Sequence, residues 1–253
     1  MRLQHESSFF RCLAAGQAPK KAGYKTMKSL FFDAGPVITL VLSRMAWILP
    51  KLKEKFGGTF YITPAVKFEL VDRPLSTRRF QLEAFEVMKM IREGVLTVYD
   101  NVPKKKVDLL QNLANSSFRI GNKNMDIIQA GEMESVASAL EINAAVVMDE
   151  RTLRLFVENN VEMKSLLEHR FKKKVTANVE RMNLFSEQLK KVSIIRSIEL
   201  VSVAFKQGFL NSYVPPTKNG KASLLKAVFW ATKYNGCAVT EQEIIELQKF
   251  LVG

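Results

Sequence analysis

The stretch 29–40, SLFFDAGPVITL, passes from a short apolar segment ending at Phe32 into Asp33, and Gly35-Pro36 turns the chain before an apolar helical pattern begins. Four apolar or small residues bounded by turn formers suit a buried strand and are too few for a helix. The same order recurs downstream. The helix expected over Val37 to Lys55 stops at Gly57-Gly58, and Thr59 to Ile62 (TFYI) reads as a second strand. Thr63-Pro64 then supplies an N-cap followed by proline at the first helical position. After Arg73-Pro74, Ser76 to Arg92 reads as one long amphipathic helix, Gly94 ends it, and Val95 to Tyr99 forms a strand. A helix over Val107 to Ala114, a polar loop over Asn115 to Asn124 and a helix over Met125 to Ile142 lead to Ala144 to Met148 (AAVVM), a strand that ends at Asp149. Short apolar strands alternating with helices predict an α/β fold of three layers, α/β/α, around a central, mostly parallel sheet.

The last third is mostly helical. Val161 to Gln188 carries the cluster Arg170-Phe171-Lys172-Lys173-Lys174, Val192 to Ile195 reads as a strand, and Ser197 to Gln207 as a helix. The loop Val214 to Gly220 precedes two more helices, Ala222 to Tyr234 and Glu241 to Leu251, the second opening on a capping box of Thr240 with Glu243. No internal repeat is visible. The expected organisation is a basic tail or over-extended start at 1–26, a domain over 27–210 with a basic helical insertion at about 163–190, and a helical extension over 211–253.

The 253 residues carry 38 Lys plus Arg against 25 Asp plus Glu, a net charge of +13, with 47% apolar residues. That composition excludes a wholly disordered chain and makes a polyanion the first partner to consider, because bound Lys and Arg release phosphate counterions. Cys12 and Cys237 cannot build a disulfide framework and fit a reducing cytoplasm. With only His5 and His169 beside them, a zinc site of His and Cys is excluded and any metal is held by oxygen. The longest apolar stretch, Val37 to Leu49, is interrupted by Ser43-Arg44 and is too short to cross a bilayer, so no membrane partner is expected. Phe9 to Ala15 is broken by Arg11 and is too short for a signal peptide.

In open parallel sheets, ligands sit beyond the carboxyl ends of the strands. Asp33 and Asp149 end two of the strands, Glu69 follows the second strand by two helical turns, and Glu132 lies near the start of the helix leading into AAVVM. If the strands ending at Asp33 and Asp149 are neighbours, all four carboxylates converge. Crowded carboxylates repel and raise one another's pKa, a cost that a hard divalent cation removes. One or two such ions suit phosphodiester hydrolysis. Competing residues remain open at this point: Asp72 for Glu69, Asp126 and Glu134 for Glu132, and Glu150 for Asp149.

The segments 32–38 (FDAGPVI), Ile62-Thr63-Pro64 through Glu69-Leu70-Val71, Gly131-Glu132-Met133-Glu134 with Ala137 and Ala139, and 146–151 (VVMDER) together resemble a PIN domain, of the archaeal type. The stretch from Ile194-Ile195-Arg196-Ser197 to Gly208-Phe209-Leu210 resembles the closing strand and helix of that fold. The resemblance covers roughly Met27 to Tyr99 and Met125 to Leu210. It implies a Mg²⁺- or Mn²⁺-dependent ribonuclease acting on single-stranded RNA, with Asp33, Glu132 and Asp149 as metal ligands and Glu69 as a ligand or water-orienting residue. It also implies an antitoxin protein or a second copy of the chain as partner. Gly35 stands where many members carry Ser, Thr or Asn, and Glu132 where the commoner form has Asp; the alternative reading is therefore a PIN-like RNA-binding module with weak or lost cleavage. Arg151 and Arg154, just after Asp149, and Lys172, Lys173 and Lys174 are the candidate phosphate-binding residues, with a surface salt bridge or a solvated helix face as their bland alternatives.

Overall fold

The computed structural model describes residues 29–158 and 160–252, without the side chains at positions 154, 157, 158, 160 and 161. The expected tail at 1–26 lies outside the described residues.

Five strands form the central sheet: β1 (Ser29–Phe32), β2 (Thr59–Ile62), β3 (Thr97–Val98), β6 (Ala145–Val147) and β8 (Ile194–Ile195), in the order β3-β2-β1-β6-β8 with every pairing parallel. Leu30 stands beside Phe60 on one side and Ala145 on the other, so β1 is central and β6 is its neighbour. Successive residues of β1 face opposite ways. Phe32 joins the apolar layer built with helices α1 (Ala34–Leu42), α2 (Ile48–Phe56) and α10 (Ser197–Lys206), whereas Phe31 joins the layer built with α5 (Lys104–Asn115), α6 (Ala130–Ile142) and α9 (Val179–Leu189). The fold is thus a three-layer α/β/α arrangement.

The C-terminal helices α11 (Gly220–Tyr234) and α12 (Glu241–Val252) enter the first layer through Leu225, Phe229 and Ile244. The capping box expected at the start of α12 is present: Thr240 N donates to Glu243 Oε2 at 2.8 Å and Glu243 N to Thr240 Oγ1 at 3.2 Å. The basic segment supplies Met163, Leu167, Val175, Met182, Phe185 and Leu189 to the second layer.

Three stretches expected to be helical are interrupted, each at a non-glycine residue in the left-handed region. The helix over Val37 to Lys55 is α1 and α2, because Arg44 (φ 57°) ends α1 in a closed turn in which Arg44 N donates to Val41 O at 2.9 Å and Met45 N to Leu40 O at 2.7 Å. The helix over Ser76 to Arg92 begins only at α4 (Gln81–Arg92), after Phe80 (φ 65°). The basic helix over Val161 to Gln188 divides into α8 (Asn160–Phe171) and α9 at Lys172 (φ 50°), with strand β7 (Thr176–Ala177) between. The polar loop expected over Asn115 to Asn124 instead holds β4 (Phe118–Ile120) and β5 (Lys123–Asn124), turned by Gly121; β4 pairs antiparallel with both β5 and β7. A partner strand nearly sixty residues away leaves no local signal.

Among the described residues no helix is long and apolar enough to cross a membrane.

Candidate active site at the strand ends

The sheet order reverses direction between β1 and β6, because β1 leads outward to β2 and β3 while the chain then returns to β6 on the other side. Adjacent connections leave opposite faces at such a point and open a crevice beyond the strand ends. Asp33 ends β1 and Asp149 lies two residues past β6, so both stand at this crevice, 8% and 4% exposed. Asp33 N donates to Val147 O at 2.9 Å, which carries the β1–β6 pairing up to the site itself.

Asp33 is also the N-cap of α1, its Oδ2 accepting a 3.3 Å hydrogen bond from Gly35 N. Asp149 is held more firmly. Its Oδ2 accepts from Thr39 Oγ1 at 2.9 Å and its Oδ1 from Ser197 N, the first residue of α10, at 2.8 Å. A Cβ placed on Gly35 would lie 3.5 Å from Asp33 Oδ2 and 3.7 Å from Asp149 Cβ, so Gly35 lies against both acidic side chains.

Glu132 sits in the first turn of α6 and its Oε2 accepts from Gln129 N at 3.0 Å. Glu69 is half-buried in a single π-helical turn, Phe68–Asp72, that continues α3 (Pro64–Lys67). Such turns widen the backbone and cluster at functional sites.

The charges of this group act on Asp33 and Glu132. Burial lifts Asp33 to about 6, against two backbone N–H groups that lower it, with Glu69 and Asp149 raising it further. Burial lifts Glu132 to about 8, and the charges of Asp33, Glu150 and Glu69 add to the rise. Both groups are therefore held partly neutral near pH 7 by desolvation and like charge.

Several competing carboxylates have other engagements. Glu134 accepts from Ala65 N at the start of α3 (3.2 Å), Asp72 pairs with Lys67 on the surface at 3.3 Å, and Asp126 is exposed. Glu150 accepts from Thr152 N at 3.0 Å and adds its charge to Glu132.

Among the described residues, no three His, Cys, Asp or Glu side chains stand assembled as a ligand group. The oxygens of Asp149 are turned to Thr39 and Ser197, and that of Glu132 to Gln129. By donor type and by charge, the all-carboxylate set still fits a hard divalent ion, which would favour the ionised forms that crowding suppresses.

The candidate phosphate-binding residues separate. Arg151, which opens α7 (Arg151–Glu158), pairs with Glu162 through its guanidinium, and its buried Nε has no hydrogen-bond partner. The side chain of Arg154 lies outside the described residues. Lys172, Lys173 and Lys174 are exposed just past α8.

Sequence reasoning missed the residues that hold Asp149. Thr39 lies one turn after Gly35 on the same face of α1, and a hydroxyl in the run Pro36-Val37-Ile38-Thr39-Leu40 was the available signal. It also missed the turn between α11 and α12. Asn235 O lies 3.3 Å from Thr39 Oγ1, Ala238 N donates to Asp149 O at 3.2 Å, and a Cβ on Gly236 (φ 132°) would come within 3.1 Å of Thr39 Oγ1. Buried Cys237, in the same turn, has its thiol pushed up by burial and by Asp149. Arg196, at the N-cap of α10, is buried with Glu199 (Nη2–Oε1 2.6 Å) and reaches Glu243 of α12 at 2.9 Å. The C-terminal helices thus form the back wall of the crevice.

Compared with family models, with curated proteins and with solved structures, the chain matches none.

Proposed function

We propose that the protein is a Mg²⁺- or Mn²⁺-dependent endoribonuclease of the PIN-like kind, hydrolysing phosphodiester bonds of single-stranded RNA in the cytoplasm. The observation that carries this reading is the meeting of Asp33 and Asp149 at the ends of adjacent parallel strands, within electrostatic reach of Glu132 and Glu69. A buried cluster of carboxyls costs stability unless a cation uses it.

Asp33, Glu132 and Asp149 would hold the ion, which when bound supplies a Lewis acid that lowers the pKa of water and offsets phosphate charge. Thr39 Oγ1 and Ser197 N hold the Asp149 carboxylate in place, one on each oxygen. Glu69, half-buried in the π-helical turn, would be a further ligand or would orient the attacking water. The net charge of +13 draws the polyanion to the surface. An antitoxin protein or a second copy of the chain is a further partner consistent with this class.

The second reading, an RNA-binding module without cleavage, has one observation in its favour: both oxygens of Asp149 and one of Glu132 already serve hydrogen bonds within the fold. Incubation of an unstructured RNA with Mn²⁺ separates the two. The nuclease reading expects internal cleavage that stops in EDTA and in Asp33→Asn. Binding without cleavage in the wild type selects the module.

A further inference from the structure

Between the π-helical turn that carries Glu69 and helix α4 the chain runs Arg73-Pro74-Leu75-Ser76-Thr77-Arg78-Arg79-Phe80, with three arginines and no acid. Its shape is set by its own hydrogen bonds. Ser76 Oγ donates to Arg73 O at 2.7 Å, Thr77 Oγ1 lies 3.0 Å from both Pro74 O and Arg79 O, and Gln81 Nε2 donates to Leu75 O at 3.3 Å. Phe80 adopts φ 65°, a conformation that bulky L residues rarely take. Its ring is 42% exposed, and the Arg79 guanidinium sits 4.5 Å from its centroid. None of the three arginines has a carboxylate partner among the described residues.

We infer that this element is a subsite for single-stranded polynucleotide, with Arg73 and Arg78 on phosphates and the Arg79–Phe80 pair as a platform for one base. The inference rests on the ribonuclease reading and adds where its substrate runs. Exposed guanidinium groups without partners attract a polyanion, and an exposed ring backed by a cation stacks bases without regard to sequence. Arg73 follows Glu69 by one helical turn, so a strand leaving the crevice past Glu69 meets Arg73 next and then the Arg78–Phe80 tip. A second copy of the chain fits less well, because the same tip would bring arginines against arginines. Phe68 and Phe85 are also exposed, on the adjoining elements, and make a protein occupant the natural rival.

The test uses a short labelled oligouridylate, titrated in EDTA so that it is not cut, over a range of salt concentrations. Phe80→Ala should weaken binding by roughly 5- to 150-fold with the salt slope unchanged, the effect of removing one stacked base. The double variant Arg73→Ala/Arg78→Ala should flatten the log–log salt slope by about 0.7 for each phosphate that is no longer neutralised. All these side chains are exposed, so melting temperatures should stay at the wild-type value. Wild-type affinity in both variants overturns the inference. So does a weakening confined to a Lys172→Ala/Lys173→Ala/Lys174→Ala variant, or a wild-type dimer that only the Phe80 and Arg variants dissociate. A wild type that binds through these residues but does not cut with Mn²⁺ would sink the nuclease reading and leave the subsite standing. Cutting by the wild type with binding unaltered in the variants would do the reverse.

Discussion

The ends of β1 and β6 carry the same chemical group and hold it in opposite ways. Asp33 is served by its own neighbourhood, a 3.3 Å bond from Gly35 N, and is left strained by burial and, beyond that, by the charges of Glu69 and Asp149. Asp149 is held by Thr39 and Ser197, 110 and 48 residues away, with the turn at 235–238 packed behind. One carboxylate is left with electrostatic tension that a bound cation can relieve. The other is fixed in place before any ligand arrives, which is how preorganised sites avoid reorganisation.

The largest expected effect exposes the tension at Asp33 and Glu132. Both carboxyls bind a proton more tightly folded than unfolded, at about 6 and about 8 against ordinary values of 3.8 and 4.5. Their contribution to stability is therefore complete below about pH 4 and is lost as pH rises, through 6 for Asp33 and through 8 for Glu132. Urea midpoints measured in EDTA should show Glu132→Gln losing less stability than the wild type between pH 6 and 8. Parallel curves for the two proteins would mean that Glu132 is not strained, and added Mn²⁺ should stabilise the wild type more at pH 8 than at pH 6.

Breaking the firmly held carboxylate comes next. Asp149→Ala leaves the buried Ser197 N–H without its acceptor, at about 1–3 kcal/mol, and the Thr39 hydroxyl with only Asn235 O at 3.3 Å, and should destabilise the fold in denaturant titration. Asp33→Asn, which removes a crowded charge and keeps a capping oxygen, should cost less than about 1 kcal/mol at pH 8. Equal losses would erase the contrast between the strand ends.

The smallest change sharpens it. Thr39→Val keeps the shape of a fully buried side chain but deletes its hydrogen bond to Asp149. Calorimetric titration should show Mn²⁺ affinity reduced roughly 10- to 100-fold, the usual effect of removing a residue behind a metal ligand. Thr39→Ser should restore it. An affinity unchanged in the valine variant would make Thr39 a packing residue only.

Asp33 and Asp149 were readable at strand ends because a four-residue apolar run followed by an acid and a turn is a local pattern. Glu69 and Glu132 were readable as candidates, whereas the surface pairing of their rival Asp72 with Lys67 and the Ala65 N–H that occupies Glu134 could be seen only in the fold. The breaks at Arg44, Phe80 and Lys172 escaped detection because left-handed backbone is signalled by glycine, and none of these residues is glycine. Thr39 was passed over because a threonine inside a helix is ordinary until its partner is known.

The sequence by itself determined the five strands of the central sheet, their alternation with helices and the excess of positive charge, since each depends on residue type or on spacing within one element. Tertiary structure alone decided that β1 lies beside β6, that β4, β5 and β7 form a second sheet, and that a turn near residue 236 stands behind Asp149. Those outcomes depend on packing between residues far apart in the chain, where the deciding free energies are burial and hydrogen-bond satisfaction rather than local propensity.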